Sequence, residues 1–152
     1  MVRGGVFVLS MNTDSRKPAT SRLETHRSDN SRWPIAFHRT PSVVRGTDIA
    51  ELLKCIDESL RRREPHVIVW ELDDEVDISA AHRKTLADGL NAREGEFVRY
   101  CRAFAIIART AHARGVHTAL RWLTPAVCPE HMFDNQRDAE HWAMGRLGGG
   151  AG

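Results

Sequence analysis

Two long apolar runs, each followed by a helical pattern, constrain the fold of this chain more than any other feature. His66–Leu72 and residues 101–108 are nearly continuous apolar stretches, which is typical of strands buried on both faces of a sheet. After each run, apolar residues recur at helical spacing. Strands that alternate with helical segments in this way predict a mostly parallel sheet covered by helices.

The remaining elements complete this alternation. Residues 33–38 predict a first strand, at a sheet edge because Pro34 cannot donate a backbone hydrogen bond. A short second strand is predicted at residues 42–44. The predicted elements that follow are a helix that ends near Arg63, a helix from Ser79 to about Glu94, a helix from Thr110 that stops before Pro125, a short strand at residues 131–133 and a last helix through Trp142. We therefore predict an α/β fold with a mostly parallel sheet of four to five strands and about four helices.

The length of 152 residues is that of one domain. Residues 12–32 are rich in Ser, Thr, Arg and Asp, and such a segment buries too little apolar surface to offset its ordering entropy. We predict a disordered arm at residues 1–32, a folded domain at residues 33–147 and a flexible glycine-rich tail at residues 148–152. Met11 is a candidate for the natural start of the chain.

Charge and cysteine content exclude several classes of function. A net charge of +2 gives no general attraction to nucleic acid or to an anionic membrane. No stretch of the chain approaches the ~20 apolar residues of a membrane span. Cys55, Cys101 and Cys128 are widely spaced and odd in number, unlike a secreted disulfide framework. We expect reduced cysteines and a cytoplasmic protein.

One family resemblance joins these patterns. Four features of the sequence together resemble the STAS domain. They are the buried strand before an acidic loop, the residues Asp77 and Ser79 before the next helix, the second buried strand at residues 104–107, and the sequence HMFDNQRDAEHW at residues 131–142. This is the domain of the anti-sigma-factor antagonists and of the bacterial STAS/SEC14-like proteins. The resemblance covers residues 33–147. It implies a single STAS-like domain that acts as a regulatory protein-binding module, with a kinase or another regulatory protein as its partner.

The same resemblance implies a phosphorylation site. In signalling members of the family, a hydroxyl in an Asp-Ser-Ser/Thr-Gly motif is phosphorylated at the start of a helix. Here Asp77 and Ser79 fit the motif, while Ile78 and Ala80 depart from it. The alternative is that Ser79 is only the N-cap of the helix, for which serine is a preferred residue. We predict a partner surface around Asp77, Ser79, His82 and Arg83.

Trp33 is a further candidate contact for a partner, because it lies at the edge of the predicted fold next to the predicted arm. The other tryptophans, Trp70, Trp122 and Trp142, are predicted to pack in the core or at its rim. The eight histidines and the Cys128-x-x-His131 spacing lack the second half of a zinc motif. We therefore predict neither a metal site nor a cofactor.

Two other functions remain open. A SEC14-like relative would bind a small apolar ligand or a lipid, which requires a closed apolar cavity. The carboxylates between Glu71 and Asp77 follow the end of a central strand, where α/β proteins place ligands, and could hold Mg²⁺ in a metal-dependent enzyme. No nucleophile elbow, P-loop or dinucleotide-binding motif is present in the sequence, so we predict a protein without catalytic activity.

Overall fold

A computed structural model of the chain describes residues 25–149. It has five strands and five helices in a single small α/β domain. The strands are β1 (Arg27–Asp29), β2 (Ile35–Thr40), β3 (His66–Leu72), β4 (Cys101–Ile107) and β5 (Glu130–Phe133). The helices are α1 (Gly46–Arg61), α2 (Ala80–Asn91), α3 (Glu94–Tyr100), α4 (Ala111–Arg121) and α5 (Gln136–Gly149). The predicted fold class is confirmed.

The five strands form one sheet in the order of the sequence, β1-β2-β3-β4-β5. Strand β1 runs antiparallel to β2, and the other neighbours are parallel. Arg39 of β2, Glu71 of β3 and Ile107 of β4 lie side by side across the sheet. Strands β2 to β5 follow one another in a single direction across the sheet. Right-handed crossovers between them therefore place all the connecting helices, α1 to α4, on one face.

The face covered by α1 to α4, here called the helix-layer face, carries large side chains. From the sheet they include Ile68, Trp70, Phe104 and Ile106, all of which are buried. Helix α1 is the best anchored of the four helices, with six buried residues at helical spacing, namely Asp48, Ile49, Leu52, Ile56, Ser59 and Leu60. Helix α2 buries only Leu86 and Ala87. The helices of this layer are therefore held to the sheet unequally.

The opposite face, here called the α5 face, carries small side chains. Ala103 and Ala105 of β4 meet Ala139 and Ala143 of α5, and all four are fully buried. Val67 and Val69 of β3 belong to the same cluster. Since an alanine projects only a methyl group, the helix backbone can approach the sheet closely along this line. The two faces of the sheet are thus packed by different means.

Several predictions about the ends of elements are wrong. Strand β2 is not an edge strand, because β1 pairs with it on its outer side. Strand β1 itself lies inside the segment predicted to be a disordered arm, and the rest of that segment up to residue 24 lies outside the described residues, as does the candidate start Met11. Helix α5 extends to Gly149, into the predicted tail. The predicted strand at residues 42–44 is reduced to one bridge, between Val43 and Asp77.

The segment between β3 and β4 contains two helices where the sequence predicts one. Helix α2 ends at Asn91, and α3 begins at Glu94. Arg93 links this junction to α1, since its guanidinium donates to both carboxylate oxygens of Asp57 at 2.6 and 2.9 Å. It also donates to the Gly89 carbonyl at 2.6 Å. This tertiary ion pair, which the helical periodicity does not reveal, accompanies the break between the two helices.

Candidate binding site

Two neighbouring cavities lie between the helix-layer face of the sheet and helices α1 to α4. The upper cavity, near the carboxyl ends of the strands, has a volume of about 40 Å³. Its walls come from the sheet and from α1, α2 and α4, and include Ile49, Leu52, Leu72, Leu86 and Val116. These walls are almost entirely apolar. An apolar lining of this kind suits an apolar group.

The lower cavity, toward the amino ends of the strands, also has a volume of about 40 Å³. It is lined by Phe97 of α3, Phe104 of β4, and Pro125 and Val127 of the loop between α4 and β5. The two cavities share four walls, which are formed by Trp70, Ile106, His117 and Leu120. The helix layer therefore leaves two small gaps that adjoin at the same side chains.

The size of the cavities limits what they hold as they stand. A cavity of roughly 150 Å³ lined by apolar side chains holds one benzene molecule. Each of the two cavities here is much smaller than that. A ligand larger than a few atoms therefore requires α2 or α4 to move away from the sheet. Of these two helices, α2 has two buried residues and α4 has three.

A partly buried ionic cluster lines the lower cavity. The Nε2–H of His117 donates to Glu130 Oε2, and the Arg121 guanidinium lies 3.0 Å from the same oxygen. Burial alone would raise the pKa of Glu130. The hydrogen bond from His117 and the positive charge of the Arg121 guanidinium outweigh burial, so the pKa of Glu130 is lowered. Glu130 is therefore ionised at neutral pH and fixes the ring of His117 in the cavity wall.

A second polar cluster joins β1 to β2 at the other side of the helix layer. The Ser28 hydroxyl lies 2.9 Å from His26 Nε2 and 2.7 Å from His38 Nδ1. Because a serine hydroxyl has one proton, Ser28 donates to one ring and accepts from the other. The backbone N–H of His26 donates to Asp48 Oδ1 at 2.9 Å, which ties the cluster to the start of α1.

Burial decides the protonation of this histidine cluster. Desolvation lowers the pKa of His26 to about 4, against the opposing charges of Asp48 and Glu51. Desolvation, together with the nearby histidines, lowers the pKa of His38 to about 3. Both rings are therefore neutral at pH 7. His38 is only 1% exposed, so a substrate cannot reach its ring, and the cluster joins strands rather than forming a catalytic centre.

The four residues predicted to form a partner surface are brought together at the start of α2. Ser79 is the N-cap, and its hydroxyl accepts the His82 backbone N–H at 3.0 Å. Arg83 donates from its guanidinium to the Ile78 carbonyl at 3.2 Å and lines the upper cavity. Asp77 is exposed just before the helix. The capping role of Ser79 is confirmed, whereas its phosphorylation stays a prediction.

Trp33 lies at the other end of the sheet and forms no common site with Ser79. Its ring stacks on the buried ring of His66, with centroids 5.1 Å apart, and the Arg62 guanidinium lies 4.1 Å from its centroid. Its Nε1–H donates to Glu64 Oε1 at 2.9 Å. Trp33 therefore has contacts within its own chain along its ring and its polar atom. Its role as a partner contact stays a prediction.

Trp122 was expected to pack in the core or at its rim, and this prediction is wrong. Its side chain is 80% exposed at the C-cap of α4, and the adjacent Leu123 is 45% exposed. Trp70, by contrast, is buried, and its Nε1–H donates to the Thr40 hydroxyl at 2.6 Å. Helix α4 ends at Arg121, just before Trp122.

The acidic loop does not gather its carboxylates into one site. Glu71, at the end of β3, is buried and pairs with Arg109 at 2.6 Å and, more distantly, with Arg39 at 3.9 Å. Asp73 accepts the Glu75 backbone N–H at 3.0 Å within the loop. Within residues 25–149, no group of three or more His, Cys, Asp or Glu side chains is arranged to hold a metal ion. The metal-dependent enzyme therefore has no support in the geometry of this loop.

The sequence did not reveal either polar cluster. His26 and Ser28 lie in the segment predicted as disordered, and His38 lies in β2, so their contact depends on antiparallel pairing between two strands. His117 and Glu130 are 13 residues apart on a helix and on a strand. Neither contact follows from a regular spacing of the residues along the sequence.

In the described part of the chain, no helix is long and apolar enough to cross a membrane.

No family model matches the sequence, and no curated protein or solved structure matches it either. The resemblance to the STAS domain therefore stays a prediction.

Proposed function

We propose that this chain is a non-catalytic binding domain that takes a small apolar molecule between its sheet and its helix layer. The single observation that carries the proposal is the pair of adjoining cavities at Trp70 and Leu120, of which the upper is lined almost entirely by apolar atoms. A close-packed core, which is the rule in proteins, leaves few gaps of this kind. An apolar ligand that fills both gaps restores the dispersion contacts that their walls lack.

The polar groups around the upper cavity favour a molecule with one polar end. Arg83, Asp48 and His117 are among the residues that line it. The rest of the wall is aliphatic or aromatic, and a polar ligand buried there without a hydrogen-bond partner costs roughly 2–7 kcal/mol. The ligand that fits best is an aliphatic or aromatic body with one polar group directed toward Arg83.

Helix α2, which has few buried anchors, contributes to the wall of both cavities. Helix α2 contributes Leu86 to the upper cavity and Leu90 to the lower cavity. Its buried anchors are Leu86 and Ala87. Outward movement of α2 therefore widens both cavities at once while α1, with six buried residues, stays in place.

Titration with toluene, followed by NMR of the labelled full-length chain, tests the proposal. We expect amide shifts to concentrate at residues that line the cavities. The variant Val116→Phe fills the upper cavity and should weaken toluene binding at least tenfold. Val98→Phe adds the same ring on the surface of α3, where Val98 is 57% exposed, and should bind toluene as the unmodified chain does.

A variant that enlarges the site provides the opposite change. Leu120 lines both cavities, so Leu120→Ala joins them and should tighten toluene binding, although it destabilises the fold by roughly 2–5 kcal/mol. Equal binding by the unmodified chain, Val116→Phe and Leu120→Ala would refute the cavity as the binding site. Absence of any toluene-induced shift would refute it as well.

A second candidate function, a regulatory protein-binding module, is favoured by the position of Arg83. Asp77, Ser79, His82 and Arg83 lie together at the start of α2, and Arg83 also lines the upper cavity. A partner bound at this surface would therefore contact the helix that moves when the cavity fills. We place such a module in the cytoplasm, which the three free cysteines support.

Affinity capture from the native host, followed by binding assays with the purified partner, tests this second function. Ser79→Asp and Asp77→Ala should each weaken the captured partner at least tenfold. Glu96→Gln, on the exposed surface of α3, is the control and should leave binding unchanged. If both α2 variants bind the partner as tightly as the control does, the partner surface lies elsewhere.

A further inference from the structure

Two of the three cysteines lie close together although they are far apart in sequence. The Cys128 thiol lies 3.9 Å from Cys101 Sγ, and the two residues are 27 positions apart. Cys101 begins β4 and is buried, while Cys128 precedes β5 and is half-buried. The adjacent pairing of Phe104 with Glu130 brings the two cysteines to the same end of neighbouring strands.

The sulfur atoms are placed so that a bond between them needs only a small movement. A disulfide requires a sulfur separation of about 2.05 Å, so the two atoms must approach by about 2 Å. Cys128 lies in an irregular loop between α4 and β5, whereas Cys101 is fixed at the start of a central strand. The loop side can therefore supply the movement while the sheet stays intact.

The surroundings assign different roles to the two thiols. Cys101 is 2% exposed, and its thiol donates to the Ala103 carbonyl at 3.5 Å. Burial, together with the neighbouring Cys128 thiol, raises the pKa of Cys101 well above its ordinary value. Since a thiolate is the nucleophile in thiol chemistry, Cys101 is a poor first attacker. Cys128 is the accessible thiol that meets an oxidant first.

We propose that Cys101 and Cys128 form a reversible dithiol–disulfide site whose co-substrate is a small-molecule disulfide. The Cys128 thiolate attacks one sulfur of the small disulfide, and a mixed disulfide forms as the first small thiolate leaves. Cys101 then loses its proton and attacks Cys128 Sγ, which releases the second small thiol. The protein loses two electrons and two protons, and the small disulfide is reduced to two thiols. This site does not depend on the proposed ligand function.

Oxidation at this site would restrain the loop between α4 and β5. The loop between α4 and β5 follows the exposed residues Trp122 and Leu123, and it lines the lower cavity through Val127. A bond from Cys128 to β4 fixes that loop to the sheet. It also lowers the conformational entropy of the unfolded chain, which is the main way in which a disulfide stabilises a protein.

The test is incubation of the full chain with oxidised glutathione, followed by intact mass measurement and alkylation with iodoacetamide after unfolding. We expect the loss of two hydrogen atoms and a single alkylation, at Cys55. The thermal midpoint should rise by roughly 5–15 °C and return when dithiothreitol is added. Cys55→Ala is the matched control and should lose the same two hydrogens with no alkylation.

The variant Cys128→Ala, which removes the half-buried thiol, should keep the fold and lose both the mass change and the rise in midpoint. The proposal is overturned if this variant still loses two hydrogens, since Cys55 would then be a partner. It is also overturned if the unmodified chain stops at a stable mixed disulfide with glutathione, or if peptide mapping places the bond at Cys55.

Discussion

The two faces of the sheet are packed in opposite ways. On the α5 face, Ala103 and Ala105 meet Ala139 and Ala143, and all four side chains are fully buried. On the helix-layer face, the sheet presents large side chains such as Trp70 and Ile106, and both cavities lie there. Small side chains let a helix backbone settle against a sheet, whereas large ones hold it away and leave gaps wherever their shapes do not interlock.

The faces also differ in their buried polar groups. The helix-layer face contains the histidine cluster around Ser28 and the ionic cluster around Glu130. The cluster at the centre of the α5 face consists of Ile, Val and Ala side chains, with half-buried aromatic rings at its margin. One face is therefore built for close packing, and the other combines gaps with groups that respond to protonation.

The largest expected effect is a loss of stability in acid that originates on the helix-layer face. The pKa of His26 is lowered to about 4 and that of His38 to about 3, from an ordinary value of 6.5. Their contribution to the free energy of unfolding is complete above pH 6.5 and is lost as the pH falls toward 4. In that range the histidines bind protons in the unfolded chain but stay neutral in the folded chain. Each histidine accounts for up to about 1.4 kcal/mol per pH unit in that window.

Urea unfolding at a series of pH values between 7 and 4 measures this loss. His38→Leu should flatten the dependence of the free energy of unfolding on pH. His131→Gln, which changes an exposed histidine on the α5 face, should leave the dependence as it is. The same slope in both variants would contradict the assignment of acid sensitivity to the helix-layer face.

An intermediate effect is expected when the α5 face is overfilled. Ala105→Leu inserts three further carbon atoms between β4 and α5, where Ala105 is 0% exposed. We expect the free energy of unfolding to fall by roughly 1–3 kcal/mol, because the helix must move away from the sheet. Ala81→Leu, on the exposed side of α2, is the control and should change stability by less than about 0.5 kcal/mol.

Thermal unfolding of the two variants measures this difference in stability. If Ala105→Leu is as stable as Ala81→Leu, then the α5 face has spare room, and the contrast between the faces fails.

The smallest effect is a difference of sign between two identical substitutions. Val116→Ile adds a methyl group toward the upper cavity and should raise the free energy of unfolding by about 0.5–1 kcal/mol. Val69→Ile adds the same group in the closely packed α5 face and should lower it by about 1 kcal/mol. Chemical unfolding of both variants at one pH provides the measurement, and a shared sign would contradict the difference in packing.

The sequence by itself determined the fold class, because its evidence is local. The apolar run of β3 and the spacing of Ile49, Leu52 and Ile56 in α1 each report burial within one element. The caps at Ser79 and Thr110 were predictable for the same reason, since a cap depends on residues within one turn of the helix. Alternation of these elements then leaves few topologies for the sheet.

Only the tertiary structure decided what lies between the elements. Strand β1 is short and polar, and it becomes a strand by pairing with β2, which also makes the cluster of His26, Ser28 and His38. The cavities depend on how the large side chains of four helices and a sheet fail to interlock. The approach of Cys128 to Cys101 depends on the pairing of β4 with β5. Such contacts join residues far apart in the chain, and no local pattern encodes the distance between them.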